Sequence, residues 1–498
     1  VLGFVAFVPW LRVLEGAPSA RSALAAALAM SVAFALGVFW WFGVAIAGYA
    51  GAPAWTGLAA LLLLAPALQP QLFVFAWVRH VAGPRGGLRR AFAAAFAYVA
   101  AEHALPKLFG DTLAHGLLPS PWLRQAGDLA GASGLTLVLL LANEASLAAL
   151  RRGARAGPGL AARVRAAAAP ASAVAALAAA LAGYGAWRLA VLAADGPPPV
   201  LLRAALVQAD LSNYAQMRRD LGSYGAVRRI LDAHFALTES ALAAGPLDAV
   251  LWPETVYPTT FGTPRTPDGA ALDAEIAGFA DRLGVSLVFG AFDARDGAEY
   301  NAAFFLAPGA PRAVYRKAAP FPLTERVPDW LDRPALRRRL TWLGTWRAGD
   351  GPRVVPFALP DGRVLRAAPL ICYDAVEPRF AREAAAAGAE LLVTLSNDSW
   401  FTRGSGPRLH LAVSAFRSLE TRLPQLRVTN TGISAWIDAR GTIHAQLGVH
   451  ESGVLRVALP AGPGGITPAM RWADRLPWLA AAATAAILAH GAARRRRA

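Results

Sequence analysis

The chain has a single cysteine, Cys372, which excludes an intrachain disulfide and any multi-cysteine metal site. Charge is also scarce: 16% of the residues are Asp, Glu, Lys or Arg against 55% hydrophobic ones, and the mean hydropathy is +0.38. A 498-residue chain this apolar does not read as one soluble globule but as a membrane protein with a soluble part. Acidic residues are the scarcer sign, 33 against 49 basic ones, for a net charge of +16. In a soluble protein that surplus would suggest a nucleic-acid partner. Here most of it lies between apolar stretches, as Arg79, Arg85, Arg89 and Arg90, as Arg151, Arg152, Arg155, Arg163 and Arg165, and as residues 494–497 at the end. Such clusters flank membrane helices on the cytoplasmic side, so no nucleic-acid partner is expected. No Gly-rich phosphate loop follows a strand, and His234, His410, His444 and His450 are not paired at metal-ligand spacing, so neither cofactor nor metal is expected.

A helix needs about 20 mostly apolar residues to span the hydrocarbon core. Windows of that kind predict helices near 22–47, 55–78, 88–105, 128–149 and 170–194, with 1–11 as the remnant of another. Pro66 and Pro70 inside the second are tolerable where neighbouring helices satisfy the freed backbone groups. The chain starts at Val1 without Met and its first apolar run is short, so a further N-terminal segment is expected. Loops alternate between Arg-rich (79–90, 151–165) and Arg-poor (48–54, 106–127), and the rich ones face the cytoplasm. After the helix at 170–194 the chain therefore emerges on the opposite side. The expected organisation is a helical membrane domain over 1–196, an extracytoplasmic domain over 197–462, and a last membrane helix with a cytoplasmic Arg tail over 463–498.

Within 197–462, β-rich runs at 201–207, 249–252, 285–289, 301–306, 369–373, 391–395 and 434–438 are interleaved with helical stretches at 226–244, 270–283, 378–388 and 409–423. This pattern predicts an α/β sandwich of layered sheets. Three short stretches put a reactive side chain at or just after an apolar strand: Trp252-Pro253-Glu254, Tyr315-Arg316-Lys317 leading to Glu325, and Ile371-Cys372-Tyr373-Asp374. Loops at such strand ends can aim side chains into a common cleft. A free thiol is mostly protonated at neutral pH and needs a base and a nearby cation to act as a nucleophile. Glu254 can take the proton from Cys372 and return it later. Lys317, with a backbone N–H such as that of Tyr373, can stabilise a thiolate and a tetrahedral oxyanion. These residue types permit acyl transfer through a thioester.

The three stretches resemble the carbon–nitrogen hydrolase (nitrilase) superfamily, and the whole chain is similar to its membrane-embedded apolipoprotein N-acyltransferase family. The likeness extends to Asn397–Phe401 (NDSWF), Gly406-Pro407 with His410, Arg417 with Glu420, Thr429–Gly441, Val207-Gln208, and Gln125–Leu135 in the membrane part. The resemblance implies an α-β-β-α sandwich on the periplasmic side of a bacterial inner membrane, with the C-terminus in the cytoplasm. It implies Glu254 as general base, Lys317 as transition-state stabiliser, Cys372 as acylated nucleophile, and Glu325, Tyr373 and Asp374 as supporting residues. It also implies a membrane phospholipid as acyl donor and a diacylglyceryl-modified apolipoprotein as acceptor. Trp330, Asn397, Trp400 and Phe401 are candidate substrate or lipid contacts, with core packing the alternative for the aromatic ones. The chain departs from the family pattern at Thr324, Arg326, Asp374 and Arg422. A membrane-tethered amidohydrolase would use the same triad with water as acceptor, and a silent paralogue would keep the fold. Retention of all three triad residues argues against the silent one.

Overall fold

The computed structural model of the protein describes residues 2–83, 87–194, 196, 198–211, 214–401 and 404–497. Arg85 of the first basic loop lies outside them, as do Val1, Pro197 and Ala498 at the expected domain limits and the side chains of Arg495, Arg496 and Arg497. The chain divides into two compact units, Val1–Ala194 with Thr467–Ala498, and Asp195–Ile466.

The first unit is helical. Its elements are α1 (Val8–Glu15), α2 (Ala20–Tyr49), α3 (Ala54–Leu68), α4 (Pro70–Val81), α5 (Gly87–Ala104), α6 (Gly127–Arg155) and α7 (Leu160–Ala194), with a last helix at Leu476–Arg497. Among the described residues four helices are long and apolar enough to cross a membrane: α2, the stretch Leu123–Arg155, α7 and the last one. The α3–α4 pair makes up to five if it counts as one span.

Three expectations change here. The single helix expected at 55–78 is two, bent by 47° at Gln69. Pro70 is the cause: its ring bars the preceding residue from the helical region, and Gln69 sits at φ −135°, ψ 56°. The helix at 88–105 forms as α5 but is not among those apolar enough to span, since it carries Arg89, Arg90 and Glu102. The expected remnant at 1–11 is a 3-10 turn followed by the eight-residue α1, too short to span. Several buried charges in this unit are paired, as apolar surroundings favour: Arg79 Nε donates to Glu144 at 2.6 Å, and Glu15 meets Arg90 at 3.2 Å and also Arg151.

Among its described residues the second unit carries thirteen strands: β1 (Val200–Gln208), β2 (Ala249–Leu251), β3 (Tyr257–Thr260), β4 (Ser286–Arg295), β5 (Ala298–Leu306), β6 (Ala313–Arg316), β7 (Val355–Ala358), β8 (Val364–Ile371), β9 (Leu391–Ser396), β10 (Gln425–Thr429), β11 (Ser434–Ile437), β12 (Ile443–Leu447) and β13 (Gly453–Pro460). They form two sheets, one ordered β13-β1-β2-β4-β5-β6 with β3 beside β4, the other β12-β11-β10-β9-β8-β7. Each has a parallel centre, β1-β2-β4 and β8-β9-β10, and antiparallel flanks.

Leu206, Leu251, Val288 and Phe305 of one sheet pack on Phe357, Ile371, Val393 and Val428 of the other, a dry core from alternating inward residues. The opposite face of the first sheet is covered by α8 (Tyr214–Ala243) and α9 (Pro267–Leu283), through Leu231, Phe235, Ile276 and Phe279 against Val250, Phe289 and Phe304. Two further helices, Pro378–Ala386 and the deeply buried Gly406–Thr421, pack with the second sheet and the turn after β8. The result is an α-β-β-α sandwich. The strand expected at 369–373 ends at Ile371, because Cys372 turns the chain into a 3-10 segment.

Candidate active site

The reactive residues stand where short strands run out. Glu254 lies three residues beyond β2, Lys317 directly follows β6, Cys372 directly follows β8, and Asn397 directly follows β9. Cys372 has φ +48°, a left-handed backbone that a non-glycine residue adopts at a cost of about 1–3 kcal/mol. Strain of this kind persists only where surrounding contacts hold it.

Lys317 is the hub. Its Nζ donates to Glu254 Oε1 at 2.9 Å and to Glu325 Oε1 at 2.8 Å, and its side chain is 1% exposed. Glu254 is held from three more directions. Asn301 Nδ2 donates to Oε1 at 2.6 Å and the Asn397 backbone N–H to Oε2 at 2.8 Å, while Gly290 lets the Glu254 backbone lie against β4. The Phe321 N–H donates to Glu325 Oε2 at 2.6 Å. One cation thus faces a buried and a partly buried carboxylate beside a buried thiol.

Burial pulls the Lys317 ammonium toward the neutral form, but Glu254 and then Glu325 outweigh it and hold the amine well above its ordinary range. Burial pushes the Glu325 carboxyl up, with Lys317 opposing. The Cys372 thiol is pushed up by burial and then by Glu254, with Lys317 pulling the other way. At rest Cys372 is therefore a thiol, and to act as a nucleophile it would have to give up its proton as the attack proceeds.

Asp374 is fully buried and braces the two halves. Its Oδ1 accepts from the Ala318 and Ala319 N–H groups at 3.1 and 2.7 Å, and its Oδ2 accepts from Tyr315 Oη at 2.9 Å and Ile371 N at 3.0 Å. The segment after Lys317 is thereby tied to the turn that carries Cys372. Burial lifts the Asp374 carboxyl to about 6.

Tyr373 stacks edge-on to Phe321, which in turn meets Trp400. Phe401 is interior, against Trp400 and His410. Trp330 is 75% exposed, the one of the four candidate contacts fully open to its surroundings. Asn397 holds the Glu254 segment: besides its backbone bond to Glu254, its side chain donates to Thr255 Oγ1 at 3.2 Å. Arg422 caps its helix at φ +59°.

Four polar residues of this region were not singled out as site residues from the sequence: Asn301, read only as part of a strand, Asp398, His410 and Arg427. Burial raises the Asp398 carboxyl, but Arg427 and His410 outweigh it and hold it at about 2, against 3.8 for the free side chain. The folded state therefore binds fewer protons at Asp398. The stability it contributes, roughly 2 kcal/mol, is complete above pH about 4 and lost as pH falls through about 2. Asp398→Asn is expected to flatten the acid limb of the stability curve between those values, followed by tryptophan fluorescence. An unchanged limb would mean that these partners do not hold the carboxylate.

The carbon–nitrogen hydrolase family matches residues 203–463, and the family described as the apolipoprotein N-acyltransferase N-terminal domain matches residues 1–145. The apolipoprotein N-acyltransferase of Caulobacter vibrioides is 32% identical over 474 residues, covering 89% of this chain and 80% of that protein. The one of Geobacter metallireducens is 28% identical over 504 residues, covering 98% and 90%. Among solved structures, a mutant of the amidase from Nesterenkonia sp. AN1 has 21% identity and a TM-score of 0.36, covering 52% of this chain and 93% of that one.

Proposed function

The chain belongs to the apolipoprotein N-acyltransferase family of carbon–nitrogen hydrolases, and from that premise we propose that it moves an acyl chain from a membrane phospholipid, through a thioester on Cys372, to the α-amino group of the N-terminal S-diacylglyceryl cysteine of an apolipoprotein. The observation that carries this reading is the cluster of Lys317 between Glu254 and Glu325 beside the strained Cys372 turn.

In the first half-reaction Glu254 takes the Cys372 proton as sulfur attacks the ester carbonyl. Lys317 and the Tyr373 N–H stabilise the oxyanion, and collapse expels the glycerol oxygen, which takes the proton from Glu254. The products are a lysophospholipid and the S-acyl enzyme. In the second, the acceptor amine attacks the thioester, Glu254 takes a proton from nitrogen, and the thiolate leaves and is reprotonated. Glu325 keeps Lys317 oriented between the two steps. By the positive-inside rule the Arg-rich segment at 151–165 and the terminal arginines lie in the cytoplasm, and the catalytic part, 197–462, lies in the periplasm of a bacterial inner membrane. On this reading Trp330 is an aromatic contact for lipid at the membrane interface, as tryptophan favours.

The test is intact-mass spectrometry of the purified protein after incubation with phospholipid, with Cys372→Ala as control and a diacylglyceryl-cysteine peptide as acceptor. The expected result is a hydroxylamine-labile acyl adduct on the wild type only, discharged onto the peptide amine. An adduct that decays to free fatty acid whether or not peptide is present would make the protein a hydrolase. No adduct with any phospholipid would remove the thioester from the account.

A further inference from the structure

Behind the nucleophile lies a second buried chain of polar groups that the acyl-transfer steps do not use. His410 Nε2 is 3.3 Å from the carbonyl oxygen of Cys372 itself. A carbonyl oxygen only accepts, so the proton in this contact is on Nε2. The other ring nitrogen, Nδ1, faces Asp398 Oδ1 at 3.2 Å and Arg427 Nη2 at 3.1 Å. Arg427 Nη2 also donates to Asp398 Oδ2 at 2.9 Å, and Ser396 Oγ donates to Asp398 Oδ1 at 2.5 Å. Asp398 and Arg427 have no exposed surface, and Phe401 packs on the imidazole ring. The ring is thus fixed in plane, with Nε2 turned to the Cys372 carbonyl.

The same short segment serves both reacting groups. Asn397 gives its N–H to Glu254 Oε2, while its neighbour Asp398 orients the histidine that holds the Cys372 carbonyl. A left-handed cysteine needs such a hold: released, its backbone would relax toward the ordinary regions and re-aim the sulfur.

We infer that His410, oriented by Asp398 and Arg427, is a positioning residue for acyl transfer, keeping the Cys372 turn in the conformation that presents its sulfur to Glu254 and Lys317. This rests on the thioester reading above. The hydrogen bond to Cys372 is its only required contribution, so glutamine, whose side-chain N–H₂ reaches about as far as Nε2, should substitute where alanine cannot.

Two measurements separate this from a purely structural role. The first is single-turnover formation of the acyl adduct from phospholipid vesicles. His410→Ala is expected to lower the limiting rate about tenfold or more, the cost of a misdirected nucleophile, with the half-saturating lipid concentration unchanged. His410→Gln should recover most of the rate. The second needs no lipid. Cys372 is the only thiol in the chain, so the pH dependence of its alkylation by iodoacetamide reports its own titration. The charged groups acting on it are Glu254 after β2, Lys317 after β6, Glu325 in the following loop and Asp398 after β9. His410→Ala should move that profile by changing the distances from sulfur to Lys317 and Glu254, and His410→Gln should leave it near the wild-type one. The inference is overturned if alanine and glutamine variants lose rate equally, if the alanine variant acylates within twofold of wild type, or if the alkylation profile of His410→Ala matches wild type. A wild type that forms no adduct yet shows the alkylation shift would remove the thioester reading and leave the positioning role standing.

Discussion

Lys317→Met is expected to abolish acyl-enzyme formation, lowering its rate by three orders of magnitude or more, and to destabilise the catalytic unit as well. Two effects are removed together. The ammonium is bonded to both carboxylates, so its loss leaves Glu254 and Glu325, 4% and 17% exposed, without the counter-ion they share. Stripping one partner from a buried ion pair typically costs about 3–5 kcal/mol. One carboxyl then takes up a proton, and a protonated Glu254 cannot accept one from Cys372. The oxyanion also loses a donor, which by itself is worth about 10²–10³ in rate. The thiol, pushed up by burial and by Glu254, loses the charge that pulls it down. Adduct formation by mass spectrometry measures the chemical loss and thermal unfolding the structural one. Adding Glu325→Gln to Lys317→Met should restore much of the lost stability and none of the activity. Full recovery of activity in the double variant would show that Lys317 matters only as a counter-ion.

The three residues that the structure gathers around Lys317 were legible in the sequence as candidates because each is marked locally. Glu254, Lys317 and Cys372 each stand at the end of a short apolar strand, within a few residues of a proline, a tyrosine or both, and such patterns can be read without knowing the fold. What surrounds them was not legible for the opposite reason. Asn301 meets Glu254 because β5 runs antiparallel to β4, with Asn301 opposite Phe292, and nothing near Asn301 announces a residue 47 positions upstream. His410 was visible as a motif residue, but its target is a backbone carbonyl 38 residues earlier, and a backbone atom leaves no trace in side-chain identity. The pairing of β1 with β13 closes the first sheet across most of the unit, from Gln208 to Gly453, and is likewise beyond local patterning.

In the membrane part the sequence reading erred where length outweighed chemistry. The window at 55–78 is long and apolar enough for one span, and Pro70 was read as tolerable. The helix interior does tolerate Pro66, but Pro70 displaces Gln69 from helical geometry, and the chain bends there. The span at 170–194 was read too short for a related reason: α7 begins at Leu160, because its first turns carry Arg163 and Arg165, which hydropathy penalises although they are good helix formers.

Gly290→Ala should cost about a hundredfold in acylation rate, out of proportion to the single methyl group added. Gly290 lies in β4 directly beneath the Trp252-Pro253-Glu254 segment, and a Cβ there would meet Thr255 N at 2.4 Å, Glu254 Cα at 2.5 Å and Pro253 O at 2.7 Å. All three are backbone atoms, so no side chain can rotate out of the way and the segment itself must lift. Glu254 is where the lift is felt: its bonds to Asn301, Lys317 and the Asn397 N–H, at 2.6, 2.9 and 2.8 Å, cannot all survive the displacement. A displacement of about 1 Å in a reacting group is worth about 10² in rate, while overpacking of this kind costs about 1–3 kcal/mol in stability. The two readouts should therefore separate, with a folded protein of moderately lowered melting temperature and an adduct that accumulates far more slowly at saturating phospholipid. If the variant acylates at the wild-type rate, Glu254 tolerates displacement and is not the proton acceptor. If it fails to fold at all, the closeness of β4 to this segment is a requirement of the sheet before it is one of the chemistry, and Glu254→Gln, which leaves the backbone untouched, must then carry the test of the base.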